Sequence, residues 1–126
     1  MEYFWIGLIL LIVIWFGYRR YKMRQLDITP AELHEMLRQV PRPVILDVRS
    51  KEEYNRGHLE NARNIPARML RHKLDQLEKS KRKEIVVYCQ TGSRSATVAR
   101  LLDRLDFNVK HLKGGLAAYN RYTGSS

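Results

Sequence analysis

The hydrophobic pattern divides the chain in two. Tyr3 to Tyr18 reads Y-F-W-I-G-L-I-L-L-I-V-I-W-F-G-Y, sixteen residues without a charge or a proline. From Gln25 onward, short apolar runs alternate with segments of helical periodicity. Thr29-Pro30-Ala31-Glu32 is a capping box with proline at the first helical position, predicting a helix to about Gln39. Val44-Ile45-Leu46-Asp47-Val48 follows Pro41-Arg42-Pro43 and reads as a buried strand. One or two helical turns are expected over 51–56, and a short strand over Ala62-Arg63-Asn64-Ile65, closed by Pro66. Ala67 to about Lys79 is predicted helical, with Leu70, Leu74 and Leu77 on one face. Glu84 to Tyr88 is the next strand and Ser93 to Leu105 the helix after it. A strand over Asn108 to Leu112 stops at Gly114-Gly115, and Leu116 to Tyr122 forms a last helix.

Strands alternating with helices imply an α/β domain, a central parallel sheet flanked by helices on both faces. No internal repeat is visible, and the Gly124-Ser125-Ser126 tail is expected to fray.

The first apolar run is best read as one transmembrane helix preceding that domain. Sixteen helical residues span ~24 Å, slightly short of a hydrocarbon core of ~30 Å. Tyr3, Trp5, Trp15, Tyr18 and Tyr21 stand at its ends like membrane-interface aromatics, and Arg19, Arg20, Lys22 and Arg24 follow at once. A buried core helix is the first alternative, but it would rarely be apolar on every face in so small a protein. A cleavable signal peptide is the second, and it wants a basic segment before the apolar run, where only Glu2 is charged. The expected organisation is a single-pass anchor with its basic cluster over 1–24 and a globular domain over 25–126. Because the flanking Lys and Arg lie on the C-terminal side, the N-terminus is expected outside and the domain in the cytoplasm.

Lys and Arg number 23 against 13 Asp and Glu, a net charge of +10. Nucleic acid, an anionic membrane surface or small anionic substrates would all suit that charge. No helix-turn-helix, zinc finger or aromatic-basic RNA motif is present, so nucleic acid is not expected as a partner. His34, His58, His72 and His111 are scattered and no Cys-x-x-Cys occurs, so no metal site is expected. Arg68, Arg71, Lys73, Lys79, Lys81, Arg82 and Lys83 form either a further lipid-facing surface or a solvated helix face.

The single cysteine is the candidate for chemistry. Cys89-Gln90-Thr91-Gly92-Ser93-Arg94-Ser95 lies between a predicted buried strand and a predicted helix, at the strand end where α/β sheets gather ligands. A turn there aims backbone N–H groups and a helix N-terminus inward, and both stabilise a thiolate. Gly92 permits positive φ and close approach to the sulfur. Ser93 and Ser95 are candidate donors to it, or one of them caps the helix. Arg94 either faces an incoming anion or pins the loop by pairing with an acid.

Around this loop stand Leu46-Asp47-Val48-Arg49, then Glu52-Glu53-Tyr54-Asn55-Arg56-Gly57-His58-Leu59, then Asn61-Ala62-Arg63-Asn64-Ile65-Pro66, and finally Leu112-Lys113-Gly114-Gly115 with Tyr119. In this order and spacing the blocks resemble the rhodanese domain family of sulfurtransferases, from about Asp27 to Tyr122. The resemblance implies a rhodanese-like fold and a Cys89 that carries sulfane sulfur as a persulfide. No metal and no organic cofactor is implied. The persulfide loop would be Gln90, Thr91, Gly92, Ser93, Arg94 and Ser95, with Asp47 and Arg49 as supporting residues that tie loops together. Glu53, Gly57 and His58 would shape the intervening turn, and Gly114-Gly115 would turn the chain beside the site. Tyr119 stands where the family often has tryptophan.

The implied partners are a small sulfur donor and a thiol or cyanide-like acceptor, or a protein that exchanges persulfide, with membrane lipid around the anchor. Three other readings compete. Cysteine phosphatases use C-x5-R, whereas Cys89 and Arg94 make C-x4-R, a cradle better sized to one sulfur atom than to phosphate. A non-catalytic binding module of this family would typically lack the cysteine. A sulfur carrier would hand its persulfide to a protein. Members favouring thiosulfate often place basic residues after the cysteine, where this chain has Gln90 and Thr91, so thiosulfate is not the expected default donor.

Overall fold

The computed structural model describes residues 2–124. The expected fraying tail therefore lies outside the described residues from Ser125 on, as does the side chain of Arg24 in the basic flank. Five strands form one parallel sheet: β1 Asp27–Ile28, β2 Val44–Asp47, β3 Arg63–Asn64, β4 Ile85–Tyr88 and β5 Val109–Leu112. Their spatial order is β1-β5-β4-β2-β3. Six α-helices accompany them: α1 Glu2–Leu26, α2 Pro30–Met36, α3 Lys51–Arg56, α4 Leu74–Glu78, α5 Ser93–Arg104 and α6 Gly115–Thr123.

The central strands carry two cores because both of their faces are covered. Leu46, Ile85, Val87 and Cys89 point to the side covered by α5, with Val98, Ala99 and Leu102. Ile45, Val86 and Tyr88 point to the other side, with Leu33, Leu116 and Tyr119 of α2 and α6. All four residues of β4 are buried, which is why its sequence is a continuous apolar run rather than an alternating one.

This order places a switch point between β2 and β4. After β2 the chain proceeds outward to β3, and after β4 it proceeds the other way to β5. The connections leave on opposite faces, since Tyr54 of α3 packs with one core and α5 with the other. A crevice therefore opens at the carboxyl ends of β2 and β4, where open α/β sheets bind ligands.

Two expectations differ from the structure, and one strand was not expected. The first helix of the domain ends at Met36, not Gln39. Pro41 and Pro43 lie just beyond, and the residue before a proline is pushed out of the helical region. The helix expected over 67–79 is instead a 3₁₀ helix, Ala67–His72, followed by α4, with Lys73 at φ −120° between them. Neither piece has a side-chain N-cap, and only Leu70 and Leu77 of the expected stripe are buried. The two-residue strand β1 is too short to leave a hydrophobic signature, yet it pairs with β5 as Asp27 beside His111.

Helix α1 extends past the aromatic-basic boundary to Leu26, whose side chain enters the core. Within it Glu2–Lys22 is long and apolar enough to cross a membrane, and none of that stretch is buried by the domain. That exposure removes the core-helix alternative. Twenty-one residues rise about 31 Å, close to a hydrocarbon core. At its far end Lys22 pairs with Asp103 of α5 at 3.2 Å, and Lys110 of β5 donates to the Gln25 carbonyl at 3.3 Å.

Candidate active site

The loop between β4 and α5 folds around the cysteine sulfur. Gly92 takes φ +109° as the N-cap of α5, and this turn brings its N–H to 3.0 Å from Cys89 Sγ. The Ser95 N–H lies 3.4 Å and its hydroxyl 3.3 Å from the same atom. Cys89 itself is fully buried. Burial pushes its thiol up, but the Ser95 hydroxyl and the N–H groups of Ser95, Gly92 and Thr91 outweigh that, so the net displacement is downward.

The two serines are not equivalent. Ser95, in the third helical position, turns inward, and its hydroxyl can donate to Cys89 Sγ or to the Gly92 carbonyl, also at 3.3 Å. Ser93 is exposed. Neither caps α5 in the sense expected from the sequence, since that role falls to Gly92 without a side-chain bond.

The Arg94 guanidinium is held by Glu53 rather than pointed at the sulfur. Nη1 donates to Oε1 at 2.8 Å and Nη2 to Oε2 at 3.0 Å. Glu53 also accepts from the Ser50 N–H and hydroxyl, completing the capping box of α3. Arg94 beside it, opposed by burial and aided by Ser50, holds the Glu53 carboxyl well below its ordinary 4.5, at about 2. One carboxylate thus starts α3 and fastens the cysteine loop to it. The pattern Ser50-x-x-Glu53 was the available sequence signal.

Beneath the crevice lies a buried polar cluster. Asp47 accepts from Arg49 Nη2 at 2.7 Å, from its Nε at 3.0 and 3.1 Å, and from the Tyr88 hydroxyl at 2.7 Å. Tyr88 in turn accepts from the Leu59 N–H at 3.1 Å. Arg49 then donates to the Gly57 carbonyl at 2.6 Å and to Gln90 Oε1 at 3.2 Å. Burial opposes the Arg49 charge, but Asp47 more than compensates and keeps it protonated. Burial and the bond to Asp47 together push the Tyr88 phenol far above its ordinary range. Asp47 and Arg49 therefore join the β2 end, the 57–59 turn and the cysteine loop, while Gln90 is engaged by Arg49 and Thr91 stands exposed. An open cleft of about 480 Å³ lies beside this cluster, lined by Arg49, His58, Gln90 and Asn120 among others. His58 stacks on Tyr54 at 3.7 Å and its Nδ1 lies 2.8 Å from the Tyr54 carbonyl oxygen.

His111 is the residue that sequence reasoning missed. It is buried, with Nδ1 2.9 Å from Asp27 Oδ1 and Nε2 3.0 Å from the Gly92 carbonyl oxygen. A carbonyl can only accept, so Nε2 is the donor. The ring thereby holds the carbonyl of Gly92, the residue whose own N–H lies on the sulfur. Helix α6 closes over the loop carbonyls, with Leu116 N–H donating to Cys89 O at 2.8 Å and Ala117 N–H to Gln90 O at 3.0 Å. Gly115 makes that approach possible: at φ +65°, an added Cβ would stand 2.5 Å from Cys89 O.

The chain also has counterparts among known proteins. A family model described as the rhodanese-like domain matches residues 29–122. Among curated relatives, a tRNA uridine(34) hydroxylase of Erwinia tasmaniensis is 38% identical over 96 residues, covering 72% of this chain and 27% of the relative. The chain thus spans little more than a quarter of that relative's length. A rhodanese-related protein from Thermoplasma volcanium superposes with a TM-score of 0.70 at 32% identity, covering 79% of this chain and 94% of that one. An NAD-dependent persulfide reductase from A. fulgidus superposes with a TM-score of 0.52 at 46% identity, over 60% of this chain and 13% of that one. The match to the family model takes in the crevice, the cysteine loop and the strand carrying His111 alike, and the chain belongs to the rhodanese-like domain family.

Proposed function

We propose that the protein is a sulfurtransferase that carries sulfane sulfur on Cys89. The observation that carries this reading is the set of donors on Sγ: the Gly92 N–H, the Ser95 N–H and the Ser95 hydroxyl, all within 3.4 Å. Such a cradle favours an anion at the sulfur and, by extension, the terminal sulfur of a persulfide. In the first step the Cys89 thiolate attacks the outer sulfur of a donor. An S–S bond forms to Cys89 as the donor's own S–S bond breaks, and sulfite leaves thiosulfate, or a thiolate leaves an alkyl persulfide, with the bonding pair. In the second step an acceptor thiolate attacks the outer sulfur and Cys89 departs as thiolate. Sulfur passes without an external oxidant, and the two steps share one covalent intermediate.

The donor need not be thiosulfate. Gln90 is neutral and already engaged by Arg49, and Arg94 is neutralised by Glu53, so neither of these loop residues offers a free cation to a dianion. A persulfide donor suits the site better, and the similarity to a persulfide reductase supports that class.

Residues 1–24 act as an uncleaved membrane anchor in this proposal, with the domain over 25–126 on the cytoplasmic side. The exposed apolar helix and its C-terminal flank of Arg19, Arg20 and Lys22 support it. Double-reciprocal plots of transfer from a low-molecular-weight persulfide to a thiol should give parallel lines, and Cys89→Ser should abolish transfer. Intersecting lines, or transfer at the wild-type rate in Cys89→Ser, would refute the mechanism. A C-terminal reporter accessible from outside the membrane would refute the orientation.

A further inference from the structure

A second recess starts at the cysteine loop and runs along α5. Its α5 wall is a single helical stripe, Arg94, Val98, Leu101 and Arg104, and its opposite wall is the 3₁₀ helix with Arg68 and Arg71. The recess has a volume of about 430 Å³. Its floor is apolar, since Leu70 and Val98 are buried core residues. From residue 94 to residue 104 the stripe is about 15 Å long at 1.5 Å per residue. That length accommodates four or five residues of extended chain at roughly 3.3 Å each.

Charge distinguishes this recess from an ordinary surface groove. Four guanidinium groups surround it and no carboxylate lines it. Arg94 is balanced by Glu53, but Arg68, Arg71 and Arg104 have no ion-pair partner among the described residues. Three uncompensated like charges around one cavity concentrate a positive potential there, and low-dielectric walls focus it. An apolar floor beneath a cationic rim suits a chain that alternates acidic and aliphatic side chains. It suits a flat lipid surface poorly, because headgroups cannot reach the floor.

We propose that this recess docks an acidic extended segment of a protein that exchanges sulfur with Cys89. The inference rests on the sulfur transfer proposed above and narrows it to a partner class. Arg94 supplies the geometric link, being both the end of the recess and the fifth residue after the cysteine. A segment lying along α5 places the residues next to it at the cysteine loop. The electrostatics act on encounter and on KM for the partner, and leave the chemical step at Cys89 unchanged.

The test uses the full chain in detergent, with Cys89 first loaded from a low-molecular-weight persulfide. Two acceptors are compared: a six-residue peptide with three acidic residues ahead of a terminal cysteine, and the same peptide with amides in place of the carboxylates. At low salt the acidic peptide should react with a kcat/KM about tenfold higher, and the preference should shrink as salt rises. The double variant Arg68→Glu with Arg71→Glu should erase or invert the preference while transfer to 2-mercaptoethanol is unchanged. Arg71→Gln, which only removes a charge, should show a smaller loss in the same direction and serves if the reversal disturbs folding. Equal reactivity of the two peptides, or a preference surviving in the variants, overturns the proposal. So does loss of the preference on adding phosphatidylglycerol vesicles but not phosphatidylcholine vesicles, which would assign the recess to lipid. Failure to load Cys89 at all would instead refute the sulfurtransferase reading, so the two failures are distinguishable.

Discussion

Ser95→Ala isolates the one side-chain donor to the Cys89 sulfur among the described residues. The substitution removes the hydroxyl 3.3 Å from Cys89 Sγ and leaves the Gly92 and Ser95 N–H groups in place. A hydrogen bond to a charged acceptor contributes about 1.5–3 kcal/mol. The lower end applies, because the same hydroxyl proton is contested by the Gly92 carbonyl at an equal 3.3 Å. About 1.5 kcal/mol corresponds to roughly tenfold in the thiol–thiolate equilibrium. The assay is the rate of alkylation by iodoacetamide against pH, read by intact mass, with exposed Ser93→Ala as the control. The midpoint should move to higher pH in Ser95→Ala and stay in Ser93→Ala. The folded thiol is depressed, so its ionisation stabilises the fold above the unfolded thiol's pKa, and that contribution is lost as pH falls through the folded one. The stability cost of Ser95→Ala should therefore be larger at alkaline than at neutral pH. An unmoved midpoint would refute the hydroxyl's role in activating Cys89.

Three further outcomes follow from the surrounding network. His111→Ala removes the donor on the Gly92 carbonyl and should slow persulfide transfer about fivefold, the equivalent of ~1 kcal/mol; His111→Gln, which can still donate, should recover part of the rate, and loss without recovery would reduce His111 to a packing residue. Tyr88→Phe deletes a bond to Asp47 and leaves the buried Leu59 N–H without its acceptor. It should cost about 2–3 kcal/mol, a fall in Tm of roughly 10–20 °C by differential scanning calorimetry, and an unchanged Tm would contradict the network. Glu53→Gln breaks the clamp on Arg94. Because the Glu53 carboxyl is lowered from 4.5 to about 2, its contribution is complete above 4.5 and fades as pH falls towards 2. Acid-unfolding curves of wild type and Glu53→Gln should converge across that interval, and parallel curves would show that the clamp contributes nothing to the fold.

Much of this architecture is written in local pattern. The apolar runs at Val44–Asp47 and Ile85–Tyr88 are strands buried on both faces, and the Thr29 capping box is present in full. The cysteine's place at a strand end follows from the same pattern. The interactions that tune the site are tertiary and left weaker traces. His111 sits in an otherwise strand-like run, and nothing in its neighbours reveals that β1 will bring Asp27 to one side of it and the loop Gly92 to the other. Which serine reaches the sulfur depends on the turn of α5, since residues 93 and 95 differ only in the direction they face. The leucine spacing over 67–79 is equally compatible with one helix or two, and the missing N-caps decide for two. Arg94 offered two roles, and its bidentate hold on Glu53 came from an acid 41 residues away.

The central claim is that Cys89 accepts a sulfur atom, and intact-mass measurement tests it directly. The full chain is exposed to a low-molecular-weight persulfide, and separately to thiosulfate, and then weighed. The account predicts a gain of one sulfur atom with the persulfide, a smaller yield with thiosulfate, loss of the added mass on treatment with a thiol, and no gain in Cys89→Ser. A wild-type protein that gains no sulfur from either donor, or a Cys89→Ser variant that gains as much as wild type, would contradict it.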